Sequence, residues 1–408
     1  MSFLSRMLNG FFGRGTHAIT VPALDGALRP NMALDRAERL ASGEKLDNIC
    51  ALGDAVFYST GAQIRRLGRD DPIATLADDV AFLVARPSNE AMIAGLAGGG
   101  LVQIGIDAMQ VPLPPMPDHI TCPTAAALGE DNRLYVANGS KDVTLGEWPR
   151  DLLEKGASGS IWRIDLDQGA AQPVAQGLEW PAGIALRGDD LLVSESWRAR
   201  LVRIGVEGGK PREVLGNLPG YPGRISAGAD DGQAYVTVFA PRSQLLAFVL
   251  REDKYRRAMI DEVDPQYWIA PSLRSGTTFL EPLQAGSVKQ LGVLKPWAPT
   301  RSFGLIIALG ADDLPLKSYH SRADGAMHGV TSCCETGAGL YFSARGDGQL
   351  GRLNPAAVLA PESMPEAATA PAATLKAKAA SKAGAKPTSK AKPAAKPARK
   401  SSKQEPKA

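Results

Sequence analysis

The sequence predicts an all-β fold, a six-bladed β-propeller with an inserted, partly helical segment and a disordered basic C-terminal tail. Three observations predict it. A phrase of strand, Gly-Asp turn, strand, polar break and strand recurs along the chain. The 408 residues include 43 Gly and 30 Pro with only 6% aromatics, a turn-dense composition that favours β structure over a helical bundle. From Pro355 onward the chain is Ala, Pro, Lys and Ser with almost no large apolar residue, too little to offset the entropy of ordering a backbone.

The clearest copy of the phrase runs from Trp180 to Ile204. Its apolar runs at 183–186, 191–195 and 200–204 are too short for helices and alternate as half-buried strands do. Other copies begin at Leu46 (strands to 60, then 62–67), at Cys122 (to 138, closing with 159–164) and at Tyr221 (to 237, closing with 244–249). The last copy comprises 327–332, 339–343 and 348–353, and a degenerate one fits 80–84, 91–94 and 100–104. Each unit is too weakly apolar to bury itself alone. Radial stacking of six such sheets solves this and leaves only short, protected edges. Residues 16–22, Thr-His-Ala-Ile-Thr-Val-Pro, are expected to supply an outer strand that closes the ring against the last blade.

This divides the chain into an N-terminal amphipathic and ring-closing segment (1–39), the propeller (40–354) and the tail (355–408). Two insertions interrupt the blades. Residues 139–158 form a polar loop bearing Trp148. Residues 251–300 begin with a charged helical stretch at 253–263, are read as a lid or a cap, and precede a further strand at 302–309.

The formal charge of +3 conceals an asymmetry. From Lys376 the tail carries ten Lys and one Arg against Glu405, a net +10, leaving the preceding residues at −7. Such a tail attracts polyanions, whether nucleic acid, anionic membrane or an acidic protein, or simply solubilises. Four cysteines (Cys50, Cys122, Cys333, Cys334) suit buried thiols in a reduced compartment. No apolar run approaches the ~20 residues of a membrane span. In the first fourteen residues Phe3/Leu4, Met7/Leu8 and Phe11/Phe12 share one helical face, either an interfacial membrane foot or a helix docked on the body. The expectation is a cytoplasmic monomer, with peripheral membrane contact through this segment as the alternative. Neither a zinc-type His/Cys spacing nor a Gly-x-Ser-x-Gly elbow occurs, and Gly98-Gly-Gly100 lacks the Lys-Ser/Thr of a phosphate loop.

The Trp180–Leu201 phrase, followed by Leu218-Pro-Gly-Tyr-Pro222, resembles the strictosidine synthase-like family. That family belongs to a wider group of six-bladed propellers with the paraoxonases and the regucalcin/gluconolactonase enzymes, and the resemblance covers roughly residues 40–355. In the hydrolytic relatives a calcium or other divalent ion sits at the top of the channel, held by an acid opening the first blade and Asn or Asp opening later ones. Matching blade starts places Asp47, with Asn48 beside it, at the acid, Thr124 and Ala182 at the Asn positions, and Gly223 at the Asp position, followed by Arg224. Two oxygen ligands are lost and a cation arrives, so neither a metal ion nor another cofactor is expected.

Strictosidine synthase itself uses no metal, and the general acid/base glutamate of its last blade corresponds here to His328. The resemblance therefore implies a site at the channel mouth. Asp47 and His328 would be the catalytic pair, with one as general base. Arg224 would hold an anionic or carbonyl group, and Thr124, Tyr221 and Ala182 would line the substrate space. The implied function is a metal-independent enzyme on a small organic substrate, by condensation/lyase or hydrolase chemistry. The alternative is a non-catalytic ligand- or partner-binding propeller tethered by its tail.

Overall fold

The computed structural model describes residues 21–275 and 301–354, apart from positions 23 and 231. The expectations for the N-terminal amphipathic face, the end of the insertion and the basic tail lie outside those residues. Within them the recurring phrase becomes six four-stranded antiparallel sheets. A single strand, β1 (Glu38–Ser42), precedes the first sheet. Blade one comprises β2 (Leu46–Leu52), β3 (Ala55–Thr60), β4 (Gln63–Arg66) and β5 (Ala74–Thr75). Blade two is β6 (Val80–Arg86), β7 (Ala91–Leu96), β8 (Leu101–Gly105) and β9 (Gln110–Pro112). Blade three is β10 (Pro123–Leu128), β11 (Arg133–Asn138), β12 (Gly159–Asp165) and β13 (Ala171–Leu178). Blade four is β14 (Pro181–Arg187), β15 (Asp190–Glu195), β16 (Arg200–Gly205) and β17 (Arg212–Leu215). Blade five is β18 (Gly220–Ala227), β19 (Ala234–Pro241), β20 (Leu305–Leu309) and β21 (Pro315–His320). Blade six takes β22 (Val330–Thr336), β23 (Gly339–Ala344) and β24 (Gln349–Leu353), and completes itself with β1.

The innermost strands β2, β6, β10, β14, β18 and β22 pack side by side around the channel. Apolar side chains fill the spaces between blades. Ile184, Val193 and Val202 of blade four, for example, meet Tyr135 and Ile161 of blade three in one buried cluster. All six innermost strands share one irregularity: each bulges near its start against the next strand. The residues skipped by the register are Asn48 and Ile49, Ala81, Thr124, Ala182, Gly223 and Arg224, and Thr331. A bulge bends its strand and re-aims a side chain, so the ring presents six equivalent re-aimed positions at the same level of the channel.

Three expectations need correction. The ring is closed by Glu38–Ser42 rather than by residues 16–22; positions 21 and 22 are not in a strand, and 16–20 lie outside the described residues. Residues 244–249 are a short helix, α2 (Gln244–Val249), capped by Ser243, and the third strand of blade five is instead β20. The loop 139–158 contains the helix α1 (Trp148–Glu154). The expected helix at the start of the insertion is present as α3 (Asp253–Glu262). All four cysteines are buried and unpaired, as read from the sequence. No helix among the described residues is long and apolar enough to cross a membrane.

The segment before β1 is pinned to blade five. Asn31 Nδ2 donates to Ser318 O at 2.8 Å, its Oδ1 accepts from His320 N at 3.0 Å, and Leu34 N donates to His320 O at 2.9 Å. The His320 ring is buried beneath this segment, stacked on Phe303 with centroids 6.2 Å apart. Burial disfavours its charged form and pushes its pKa down to about 4 from 6.5. Between those values the unfolded chain binds more protons than the folded one, so stability falls as pH drops from 6.5 towards 4. His320→Asn is expected to remove about 1–3 kcal/mol of this acid sensitivity. Urea midpoints at pH 7 and pH 5 check it: equal acid losses for both proteins would contradict this role.

Candidate active site: an arginine at the hub of the channel

The bulge in β18 turns Arg224 into the channel, where its guanidinium is bonded to four other innermost strands. Nη1 donates to Asp47 Oδ1 and Oδ2 of β2 at 3.0 and 3.1 Å and lies 3.4 Å from Thr331 O of β22. Nη2 donates to Ala81 O of β6 at 2.7 Å, and Nε to Thr124 O of β10 at 3.1 Å. The sixth innermost strand joins through Thr124, whose hydroxyl donates to Pro181 O of β14 at 2.6 Å. One planar cation thus satisfies carbonyls that the bulges leave without ladder partners, a task suited to the fixed fork of donors on arginine. From the neighbouring blade, Ser194 Oγ and Ser196 Oγ donate to Gly223 O and Pro222 O at 2.8 and 2.6 Å, which fixes the backbone carrying Arg224.

Asp47 is buried and heavily engaged. Besides Arg224, its Oδ2 accepts from Arg345 Nη1 at 3.2 Å, and its Oδ1 accepts from Thr331 Oγ1 at 2.6 Å. The hydroxyls of Ser332 and Ser343 lie 3.2 and 3.1 Å from the same Oδ1. Burial on its own would raise the pKa of this carboxyl, and is the largest single influence. Arg224, Arg345, the Thr331 hydroxyl and the Asn48 amide together outweigh it and hold the group well below the usual carboxylate range. A carboxylate so stabilised is a poor proton acceptor at neutral pH, which argues against the general-base role expected for Asp47.

Above this floor lies a cavity of about 70 Å³. Asp47, Thr124, Arg224, Thr331 and Arg345 form its polar part. Its apolar walls come from Leu145, Trp148, Trp180, Phe239 and Leu273, with Ala182 and Gly223 between them. Of the residues expected at the site, the structure therefore brings Asp47, Thr124, Ala182 and Arg224 together. Tyr221 stands behind them, its ring stacked on Phe239 with centroids 6.1 Å apart. His328 does not line the cavity. Its ring is buried, with Nε2 donating to Arg322 O at 2.9 Å, while its backbone N–H donates to Asp347 Oδ2 at 2.8 Å. This histidine holds the 322–328 turn; the re-aimed residue of the last blade is Thr331.

Sequence reasoning missed Thr331, Arg345, Trp148 and Trp180. The bulge pattern was the available signal for Thr331, which lies one residue into β22 as Thr124 lies one residue into β10 and Ala182 one residue into β14. For Trp180 there was no such signal. Its backbone sits at φ 56°, in the left-handed region that a bulky residue before proline rarely adopts.

The donor set does not fit a hard divalent cation. Among the described residues Asp47 is the one carboxylate lining the cavity, and both its oxygens already accept from guanidiniums. Ala182 and Gly223 carry no side-chain oxygen, and a Cβ at Gly223 would lie 2.8 Å from Thr237 Oγ1, leaving an acidic side chain no room unless Thr237 moves. Asn48 Oδ1 is buried without a hydrogen-bond partner, but one amide oxygen beside a saturated carboxylate is not a cage. Among the described residues, no three His, Cys, Asp or Glu side chains come together as a metal site.

Fold and site define the class as a six-bladed β-propeller with a polar, arginine-plugged channel under an aromatic mouth. In sequence the chain resembles the strictosidine synthase-like proteins. It is 35% identical over 91 residues to Protein STRICTOSIDINE SYNTHASE-LIKE 13 of Arabidopsis thaliana, a stretch that spans 21% of this chain and 22% of that relative. No family model matches the chain. Solved structures of similar fold include a gluconolactonase from Xanthomonas campestris (12% identity, 82% of this chain and 96% of that one, TM-score 0.47). Another is virginiamycin B lyase from Staphylococcus aureus (15% identity, 76% and 80%, TM-score 0.42).

Proposed function

We propose that this propeller binds a small organic anion at its channel mouth without a metal ion. The observation that carries the reading is a charge imbalance: two guanidiniums, Arg224 and Arg345, share the single carboxylate of Asp47 at the base of an apolar-walled cavity. Arg224 is largely consumed by its backbone partners. The Arg345 side chain is 36% exposed and donates through Nη1 to Asp47, which leaves donors of its fork to meet a ligand. Apolar walls around a few convergent polar groups are the usual make-up of a small-molecule site.

An enzymatic role, by condensation/lyase or hydrolase chemistry, is the second reading, favoured by the resemblance to the strictosidine synthase-like proteins. Arg345 is then the group that would hold a developing oxyanion. Neither Asp47 nor His328 suits the proton transfer such a reaction needs, because the first is locked as a carboxylate and the second does not line the cavity.

The test is ligand-induced thermal stabilisation of the full chain by carboxylates, lactones, aryl esters and amine/aldehyde pairs, with calcium and after chelation. Carboxylates are expected to stabilise it equally in both conditions, and Arg345→Gln to weaken them about 10- to 100-fold. Stoichiometric calcium, or carboxylate binding that survives Arg345→Gln, would sink the proposal. Turnover of a lactone, ester or amine/aldehyde pair that is lost in Arg345→Gln would favour the second reading.

A further inference from the structure

We infer that the anion is an aryl carboxylate, its acid group on Arg345 and its ring against the indole of Trp148, the partly exposed end of an aromatic stack. The inference rests on the anion-binding reading above and adds the chemistry of the ligand body. Trp148 and Trp180 both line the cavity and belong to one continuous stack. Trp197 joins them, with ring centroids 6.3 Å from Trp148 and 5.2 Å from Trp180 at interplanar angles of 29° and 26°. Phe239 meets Trp148 edge-on at 5.4 Å.

This wall is built and held rather than incidental. Trp197 Nε1 donates to Oδ2 of the buried Asp151 at 2.7 Å, which fixes the plane of the middle indole. Asp151 lies on the same helix as Trp148, so one short element positions both the outer ring and the anchor of the middle one. At the other end of the stack, Trp180 keeps its left-handed backbone. Such a conformation persists only where its surroundings over-determine it, and such strain clusters at ligand sites.

Rigid indole faces favour flat partners. By themselves they would also suit an organic cation. The unbalanced guanidinium on the floor repels a cation, so the two features together select an aromatic acid. Size narrows the choice further. A closed cavity of about 150 Å³ takes a benzene ring, whereas this one, at about 70 Å³, takes a carboxylate and one edge of a ring, the remainder lying at the mouth.

Four matched probes test this on the full chain: phenylacetate, cyclohexylacetate, 2-phenylethanol and 2-phenylethylamine, each followed by quenching of tryptophan fluorescence and by thermal shift. Phenylacetate is expected to bind saturably, about 3- to 10-fold tighter than cyclohexylacetate, with no saturable binding of the alcohol or amine. Trp148→Leu should bring the two acids level while leaving both bound, and Trp148→Phe should restore the preference. Equal affinity of the two acids for the unsubstituted chain would overturn the aryl inference and leave the anion reading standing. Binding of the alcohol as tight as that of the acid would overturn the anion reading, and binding of none of the four would overturn both.

Discussion

Asp47→Asn is expected to destabilise the propeller by about 3–5 kcal/mol, because it leaves two guanidiniums facing one another across the channel with no carboxylate between them. Asp47 and Arg224 are 96% and 83% buried as side chains, so solvent screens their pairing little. Arg345, more than a third exposed, contributes less and is not counted in that figure. The double variant Asp47→Asn/Arg224→Met removes the stranded cation and is expected to recover part of the loss, offset by the three carbonyls that Arg224 now satisfies. A double-mutant cycle on urea midpoints, with unchanged m-values, measures the coupling. The sign of the pH dependence follows from the depressed pKa. The contribution of Asp47 is complete above the usual carboxylate pKa of 3.8 and is lost progressively as pH falls from there towards its lower folded value. Acidification to pH 4 should therefore preserve the gap between the unsubstituted chain and Asp47→Asn. A cost below about 1 kcal/mol, as for an exposed pair, would mean that the channel is wet and the hub is not structural.

The hub also shows how far a sequence of this kind can be read. Asp47 and Arg224 are 177 positions apart, and nothing local links them. They become neighbours once the repeats are counted and the blade starts superimposed, since every blade start lies on the same channel. Superposed blade starts do not show which residue turns inward, because the bulge decides that. Aligning the last blade by its residue types put His328 at the axis, whereas the inward position is three residues on, at Thr331. At residues 244–249, Leu245, Leu246, Phe248 and Val249 form an apolar run too short for its period to separate strand from helix. The aromatic wall was illegible for another reason. Trp180 reaches the mouth through a left-handed backbone, and Trp148 through a helix inside an insertion, and neither follows from strand periodicity. For the ring closure, β-branched residues at 16–22 looked more strand-like than Glu38-Arg-Leu-Ala-Ser42. An outermost strand is half solvated, however, and charged residues there guard the edge against pairing with other chains.

That closing strand underlies the other large expected effect. A chain beginning at Glu44 should lose cooperative folding as a monomer. Its loss strips β24 of its partner from Glu38↔Arg352 to Ser42↔Gln349, and with it the Gly43 N–H bond to Gly348 O at 2.9 Å. The same cut removes Leu34, which is fully buried among Tyr235, Ile306, Tyr319, Met327 and Val330 where blades five and six meet. Truncating that leucine alone, as Leu34→Ala, should cost about 2–5 kcal/mol. Asp35 goes too, and its carboxylate accepts from Arg322 N at 2.7 Å and Ala326 N at 3.0 Å, holding the turn that leads into the last blade. Together these losses rival the whole stability of an ordinary domain, about 5–15 kcal/mol. What survives exposes β24 as an unpaired edge, so the truncated chain should form concentration-dependent oligomers on size-exclusion chromatography. A synthetic peptide of residues 24–43 added during refolding should restore the monomer, because its backbone pairing is to β24 of blade six and its side-chain anchors Asn31, Leu34 and Asp35 dock where blades five and six meet. A truncated chain that stays monomeric and melts within a few degrees of the full one would show that the ring closes without β1.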